Sequence, residues 1–480
     1  MRVNGDGSVA RPFDNLAGVN ALTLHAGDRV LFKRGTICRG TLAPRGSGSA
    51  GAPIVIGAYG SGPKPAIDAD GHTEAVLLRN ESHIQVSDLD LSAPGNNTAV
   101  RRGVYVYARN AGSVSGITLQ HLTIHDVRGL LPEHGGSLLK LGAGKYADAS
   151  GGIIVEAAGS RVPTAFNDLR ILDNTLRNVD REGIYLWSNW CRRPQLASGW
   201  HPLCTAKWDP ATHVVIRGNH LDDIGGDGIA PMTSQGVLVE GNTLDGFNMR
   251  GHGYNAGMWT ANSDDVVFQH NVVTGGHSTR DGMAYDVDNS TDGVVFQYSL
   301  SYANAGGFFL LCPWNTPVRN FTIRYNISID DHARGFEVCD GALQHGRIDH
   351  NTIYIGDGVS QQVVEAKTKA PLDVRFVDNI VDRGARAGKV GWTLDEKSWV
   401  VDHNDFHGVP VPAWATATVT GDPRFADPGS VKPDGYRLRA GSAALGSGIT
   451  LPDDGGRDFF GNAVAAGQPT NVGAWAGKEQ

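Results

Sequence analysis

The sequence predicts an all-β parallel solenoid, and three observations carry that expectation. A short β-branched pattern closed by Asn recurs along the chain, its spacing lies in the twenties, and Gly makes up 64 of 480 residues with no collagen period. The pattern runs LRILDN to Asn174, VVIRGN to Asn219, VLVEGN to Asn242, VVFQHN to Asn271 and VVFQYS to Ser299. It continues as FTIRYN to Asn326, GRIDHN to Asn351, VRFVDN to Asn379 and WVVDHN to Asn404. Apart from one step of 45 residues, the intervals are 23 to 29. A strand-bearing repeat of this length buries its apolar face only by stacking on its neighbours. The Asn side chains are expected to form a ladder at one turn, bonding backbone groups that a stack of turns would otherwise leave unpaired.

A second strand follows in each coil, usually opening on Gly and an apolar residue. The set is GGIIVEA from Gly151, EGIYLWS from Glu182, DGIAPMT from Asp227, AGMWTAN from Ala256, DGMAYDVD from Asp281, GGFFLLC from Gly306 and RGFEVCD from Arg334. Stacked at about 4.8 Å, these strands form one parallel sheet. RRGVYVYA from Arg101 extends the solenoid toward the N-terminus. Residues 1–30 read as a cap, 31–405 as the solenoid and 406–480 as an irregular closing segment, together one domain and by default a monomer.

Bulk properties exclude several partners. The net charge is −8 and no Lys/Arg block stands out, which argues against nucleic acid. No run of about 18 apolar residues suggests a transmembrane helix. The polar start MRVNGDGSVARPF does not read as a signal peptide. Of five cysteines, Cys191 and Cys204 bracket an insertion, and Cys312 and Cys339 fall at similar places in successive repeats. Those two pairings, with Cys38 odd and buried, suggest an oxidising, secreted or periplasmic location, against the alternative of isolated buried thiols.

The chain resembles the right-handed parallel β-helix of the pectin-lyase-like superfamily of carbohydrate-active enzymes. The resemblance rests on the coils and on the entry segment LHAGDRVLFKRGTICRGTL with GAPIVIGAYGSGPKPAI. It rests also on the closing DPRFADP, YRLRAGSAALGSG, DFFGN and NVGAW motifs. The resemblance implies a single-stranded right-handed β-helix and a polysaccharide or oligosaccharide partner; the reaction is left open, because the fold hosts many.

With each Gly as the reference, Ile153, Ile184, Ile229, Met258, Met283, Phe308 and Phe336 are expected to face inward. Asp227, Asp281, Asp286, Asp288 and Glu337 then share the outer face with Glu182 and Arg334. Tyr185, Trp187, Trp259 and Phe309 lie among them, Trp314, Trp190 and Trp200 in adjacent loops, and His277 in a turn. Asp286 and Asp288 should have Cα atoms about 6.6 Å apart. Paired carboxylates suit glycoside hydrolysis, one protonating the leaving oxygen and the other activating water or attacking C1. Crowded like charges keep a proton available near neutrality, and flat aromatic rings suit the CH faces of sugars. The acidic face favours a neutral glycan over a polyuronate.

DGIAPM, AGMWTAN and DGMAYDVDN are similar to motifs of glycoside hydrolase family 141, which implies catalytic aspartates at Asp286 or Asp288 and at Asp227. That reading needs no cofactor. Calcium held by Asp286 and Asp288 is a rival. A calcium-dependent polysaccharide lyase is another, with Arg334, Arg280, His277, Lys140 and Tyr285 as candidate bases or cations. A non-catalytic glycan-binding solenoid is the third. His220, His270, His277 and His332 make no zinc spacing.

Overall fold

The structure is a computed structural model that describes residues 5–96, 98–131, 146–194, 204–251, 253–314, 316–394, 398–464 and 467–478. By internal packing the chain divides into two compact units, one of Met1–Leu238 with Asn242–Asn255, the other of Val239–Gly241 with Ala256–Gln480. Each is a stack of three-stranded coils forming a parallel β-helix.

The first unit opens with the short helix Leu16–Asn20, whose N-cap Asn15 accepts from the Gly18 N–H. A typical coil then follows as Thr164–Leu172, Thr175–Val179 and Glu182–Ser188. Its three strands pair in parallel with Gly112–Gln120, Thr123–Val127 and Gly151–Ala158 of the coil before. The second unit repeats the plan: Val295–Gln297, Leu300–Tyr302 and Gly307–Cys312 pair with Thr322–Arg324, Ile327–Ile329 and Ala333–Val338.

The turn between a coil's first and second strands explains the repeated Asn. The preceding residue is left-handed in every case: φ is +53° at Asp173, +67° at Gly218, +49° at Tyr325, +51° at His350 and +55° at Asp378. Such φ values are uncommon outside Gly, and Asp, Asn and His tolerate them best. At Gly218 a Cβ would lie 2.2 Å from Asp173 Oδ1, so here only Gly fits. The following Asn locks the turn to the next coil. In the first unit Asn174 donates from N and Nδ2 to Asn219 Oδ1 at 3.0 and 2.9 Å, and Asn219 does the same to Asn242. In the second, Asn326 donates to Asn351, Asn351 to Asn379 and Asn379 to Asn404. Ser299 takes its place in the series, donating N–H to Asn326 Oδ1 at 2.9 Å.

Aromatic rings fill the second unit's interior. Phe268 and Phe296 stack at 4.2 Å, and Phe309 sits against Tyr285, Phe296 and Phe336. The closing segment covers this unit by packing Phe425, Tyr436, Leu438, Val472 and Trp475 on Ile327, Ile329, Tyr354 and Ile380. Both expected disulfides form, Cys191–Cys204 and Cys312–Cys339. Cys38 is free and half-buried rather than buried, in a strand whose flanking residues are exposed.

Two predictions follow from the packing. Asn351→Ala removes the acceptor for Asn326 and the donor to Ile323 O, both buried; chemical denaturation should show a loss of about 1–3 kcal/mol. Asp405 is fully buried, and neither carboxylate oxygen has a hydrogen-bond partner among the described residues. Burial pushes its carboxyl up to about 7. The folded state therefore holds a proton that the unfolded state has released, and this contribution is lost as pH rises through about 7. Asp405→Asn should flatten the fall in Tm between pH 5 and 8 and raise Tm at pH 8.

Candidate functional site

The acidic stretch forms the strand Met283–Asp288, parallel to Met258–Thr260 on one side and Gly307–Cys312 on the other. Its register decides which side chains face out. Met258, Tyr285, Phe309 and Phe336 stand in one row, and the Tyr285 hydroxyl donates to Leu300 O at 2.8 Å, so this row faces the interior. The alternate row is Trp259, Asp286, Leu310, Glu337 and Glu365. Asp288 stands two residues on, beside Cys312.

The Gly-anchored alignment is therefore off by two residues at Met283 and by one at Phe308. A two-residue slip preserves facing, and a one-residue slip inverts it. Asp286 and Asp288 keep the expected side, whereas Phe309 turns inward and is no platform for sugar. Tyr285, offered as a lyase base, is likewise in the core.

Asp281 precedes the strand in a tight turn. Gly282 follows at φ +73°, and a Cβ there would lie 1.8 Å from Ser278 O, which is why the motif reads Asp-Gly. Arg334 holds this turn from the neighbouring coil: Nη2 donates to Thr279 O at 2.7 Å and Asp281 O at 3.2 Å, and Nε to Gly306 O at 3.0 Å. Its Nη1 pairs with Glu337, whose other oxygen accepts from Lys367 Nζ at 2.6 Å. Glu337 and Arg334 are both buried. They brace the turn, and burial together with this pairing turns them away from the solvent-facing roles expected of them. Lys367, missed by sequence reasoning, sits one residue past the strand Gln361–Ala366, where no Gly-apolar motif marks the coil.

Asp281 and Asp288 are half-buried and reach solvent, while Asp286 is only 5% exposed. Asp288 Oδ1 accepts from Asn289 N and Nδ2, both at 2.7 Å, and its carbonyl accepts from Thr291 Oγ1 at 2.9 Å. The strand's end is thus fixed by its own DNST sequence.

The first unit's expected acids are buried. Arg181 Nη2 lies 3.2 Å from Glu182 Oε1 and 3.6 Å from Asp227 Oδ2, and its Nη1 donates to Asn255 Oδ1 at 2.6 Å. Asp227 N–H donates to Glu182 Oε2 at 3.2 Å. Buried charges persist only when paired, so Asp227 and Glu182 belong to a structural cluster here.

The aromatic platforms are also mostly covered. Tyr185 is fully buried, Trp187 lies 5.3 Å from the Tyr146 ring, and Trp190 and Trp259 are buried; among the described residues Trp314 alone of the expected rings is exposed, at 37%. His277 and Arg280 are exposed. Lys140 and Trp200 lie outside the described residues. Among those described, no three His, Cys, Asp or Glu side chains converge in a group that would hold a metal.

Comparison with known proteins agrees with the fold. A family described as a right handed beta helix region matches residues 207–381. A curated protein from Bifidobacterium longum subsp. longum, lacto-N-biosidase, is 27% identical over 96% of this chain. The chain spans 35% of that relative's length. A crystal structure of GH136 lacto-N-biosidase from Eubacterium ramulus superposes with a TM-score of 0.63 at 24% identity, covering 85% of this chain and 66% of the other. The complex of XylC with xylose superposes at 0.58 with 11% identity, covering 100% and 97%. These findings support a right-handed β-helix similar to carbohydrate-active enzymes. The glycoside hydrolase neighbour named by family is of family 136, and the family 141 resemblance suggested by the short Asp-Gly motifs is not supported.

The brace makes a prediction of its own. Arg334→Gln leaves Glu337 buried with Lys367 alone, and should cost about 3–5 kcal/mol in denaturation experiments. Amide exchange of residues 278–282 should quicken more than that of the core strands.

Proposed function

We propose that this chain is the β-helix of a glycoside hydrolase that cleaves oligosaccharides, with lacto-N-biosides as its substrate class. The observation that carries the reading is the 27% identity to lacto-N-biosidase across 96% of the chain. Asp281 and Asp288 are the proposed proton-handling pair. They are the acids of the stretch that reach solvent, and each is held at the backbone, Asp281 by Arg334 and Asp288 by Thr291. One would protonate the leaving glycosidic oxygen while the other activates water or attacks the anomeric carbon. Asp286, on the same strand, is buried and is not assigned to the pair. Arg334 acts as a positioning residue through the Thr279–Asp281 backbone.

A lyase is not favoured. Its candidate base Tyr285 is committed to carbonyl groups in the core and its candidate cation Arg334 to Glu337. No calcium enters the proposal. The paired cysteines fit an oxidising compartment, and we place the enzyme among secreted or periplasmic proteins on that ground.

An aryl lacto-N-bioside assayed for aglycone release tests the reading. Asp281→Asn and Asp288→Asn should each lower kcat by about 10³-fold or more with KM changed little, as expected for groups acting in the transition state. Activity should survive dialysis against a chelator, with no ultraviolet-absorbing unsaturated product. Retention of wild-type kcat by both variants would sink the assignment.

A further inference from the structure

The proposed proton-handling pair leaves open what holds the sugar, because most of the expected aromatic rings are buried. Trp314 is the exception. It follows the strand Gly307–Cys312, whose last residue is the register partner of Asp288. Among the described residues of the second unit, the exposed large apolar side chains are Trp314, Val400, Val411 and Val431, so Trp314 alone of them carries a ring.

Hydrogen bonds fix the turn that carries Trp314 beside the end of the Asp288 strand. Thr316 N–H donates to Pro313 O at 2.9 Å and closes the turn, and the Ser290 hydroxyl donates to Thr316 Oγ1 at 2.9 Å. Ser290 lies two residues past Asp288. The next residue, Thr291, donates from Oγ1 to Asp288 O and accepts at its carbonyl from Arg319 N at 3.0 Å. Trp314 is thus bracketed by Cys312, abreast of Asp288, and by Thr316, bonded to Ser290. On its other side the turn is seated on Gly341 of the next coil, where a Cβ would lie 2.9 Å from Pro313 Cβ and 3.1 Å from Trp314 N. Cys339, two residues before Gly341, is the disulfide partner of Cys312.

The backbone at Trp314 is left-handed, with φ +28°. For a bulky side chain that is an outlier, which Gly or Asn would relieve. Burial of the ring does not require it, since the residue stays 37% exposed. A strained residue on a turn fixed by its surroundings, next to a reactive group, fits a functional position. A flat indole near a carboxylate offers an apolar surface to the CH face of a sugar ring, and a Trp in such a place carries a large share of binding energy. We infer that Trp314 is a specificity-determining residue of the Asp288 site, its indole stacking on the CH face of a sugar unit of the substrate. This inference rests on the hydrolase reading of Asp288 and adds to it the surface that holds the sugar.

Calorimetric titration with lacto-N-biose, a product that is not turned over, reads binding apart from chemistry. Trp314→Ala should weaken that affinity about ten-fold and raise KM for the aryl lacto-N-bioside to a similar extent, with kcat changed little. Trp314→Phe keeps a flat ring and should recover most of the affinity, whereas Trp314→Leu, apolar but not flat, should not. Val162→Ala, at an exposed apolar side chain of the first unit, should change neither KM nor affinity. Unaltered affinity in Trp314→Ala, or Trp314→Leu binding as tightly as the wild type, would overturn the inference while leaving the aspartate pair in place. Wild-type kcat in both Asp281→Asn and Asp288→Asn would instead remove the hydrolase assignment, with the ten-fold affinity difference still measurable.

Discussion

The turn between the first and second strands of each coil is the constraint on which the rest of the architecture depends. There the chain must bend sharply while the amide groups at the bend are shut away from water. A left-handed residue makes the bend, and the next residue, Asn in all but one of the recurrent turns, satisfies what the bend exposes. Because Asn219, Asn242, Asn351, Asn379 and Asn404 each accept both from the backbone and from the side chain of the preceding Asn, the ladder couples adjacent coils and fixes the rise between them. Parallel strands in all three sheets then fall into register without further instruction. Loss of one rung leaves several buried polar groups unmatched at once, a much larger penalty than a single exposed hydrogen bond.

That constraint also explains what was legible in the sequence. The ladder demands a side chain with an acceptor and a donor at fixed spacing, and only Asn supplies both at that length, so the repeat was visible as letters. The third sheet imposes no comparable chemical demand. Its Gly residues serve local ends: Gly282 closes against Ser278 O, and Gly307 adopts φ +130° with the neighbouring Arg334 carbonyl 2.1 Å from where a Cβ would sit. They mark turns rather than equivalent strand positions. An alignment hung on them slips, and only the parity of the slip determines whether the facing of a residue survives. Asp286 and Asp288 survived it and Phe309 did not.

Charge pairing was the least legible layer. Glu337 and Asp227 were indistinguishable from Asp281 and Asp288 as letters on an outward strand. Their different fates depend on partners far along the chain: Lys367 lies 30 residues from Glu337, and Arg181 lies a coil away from Asp227. A carboxylate removed from water is tolerated only with compensating charge and donors, so burial with an arginine marks an acid spent on structure. By that criterion the outer face separates into acids that brace the coils and acids that still meet solvent.

The same criterion applies to the cations. Arg102, Arg181 and Arg334 are buried and saturated, each tying a turn or strand of one coil to the next. Their guanidinium groups offer several donors in a fixed plane, which suits them to bridge carbonyl and carboxylate oxygens at once.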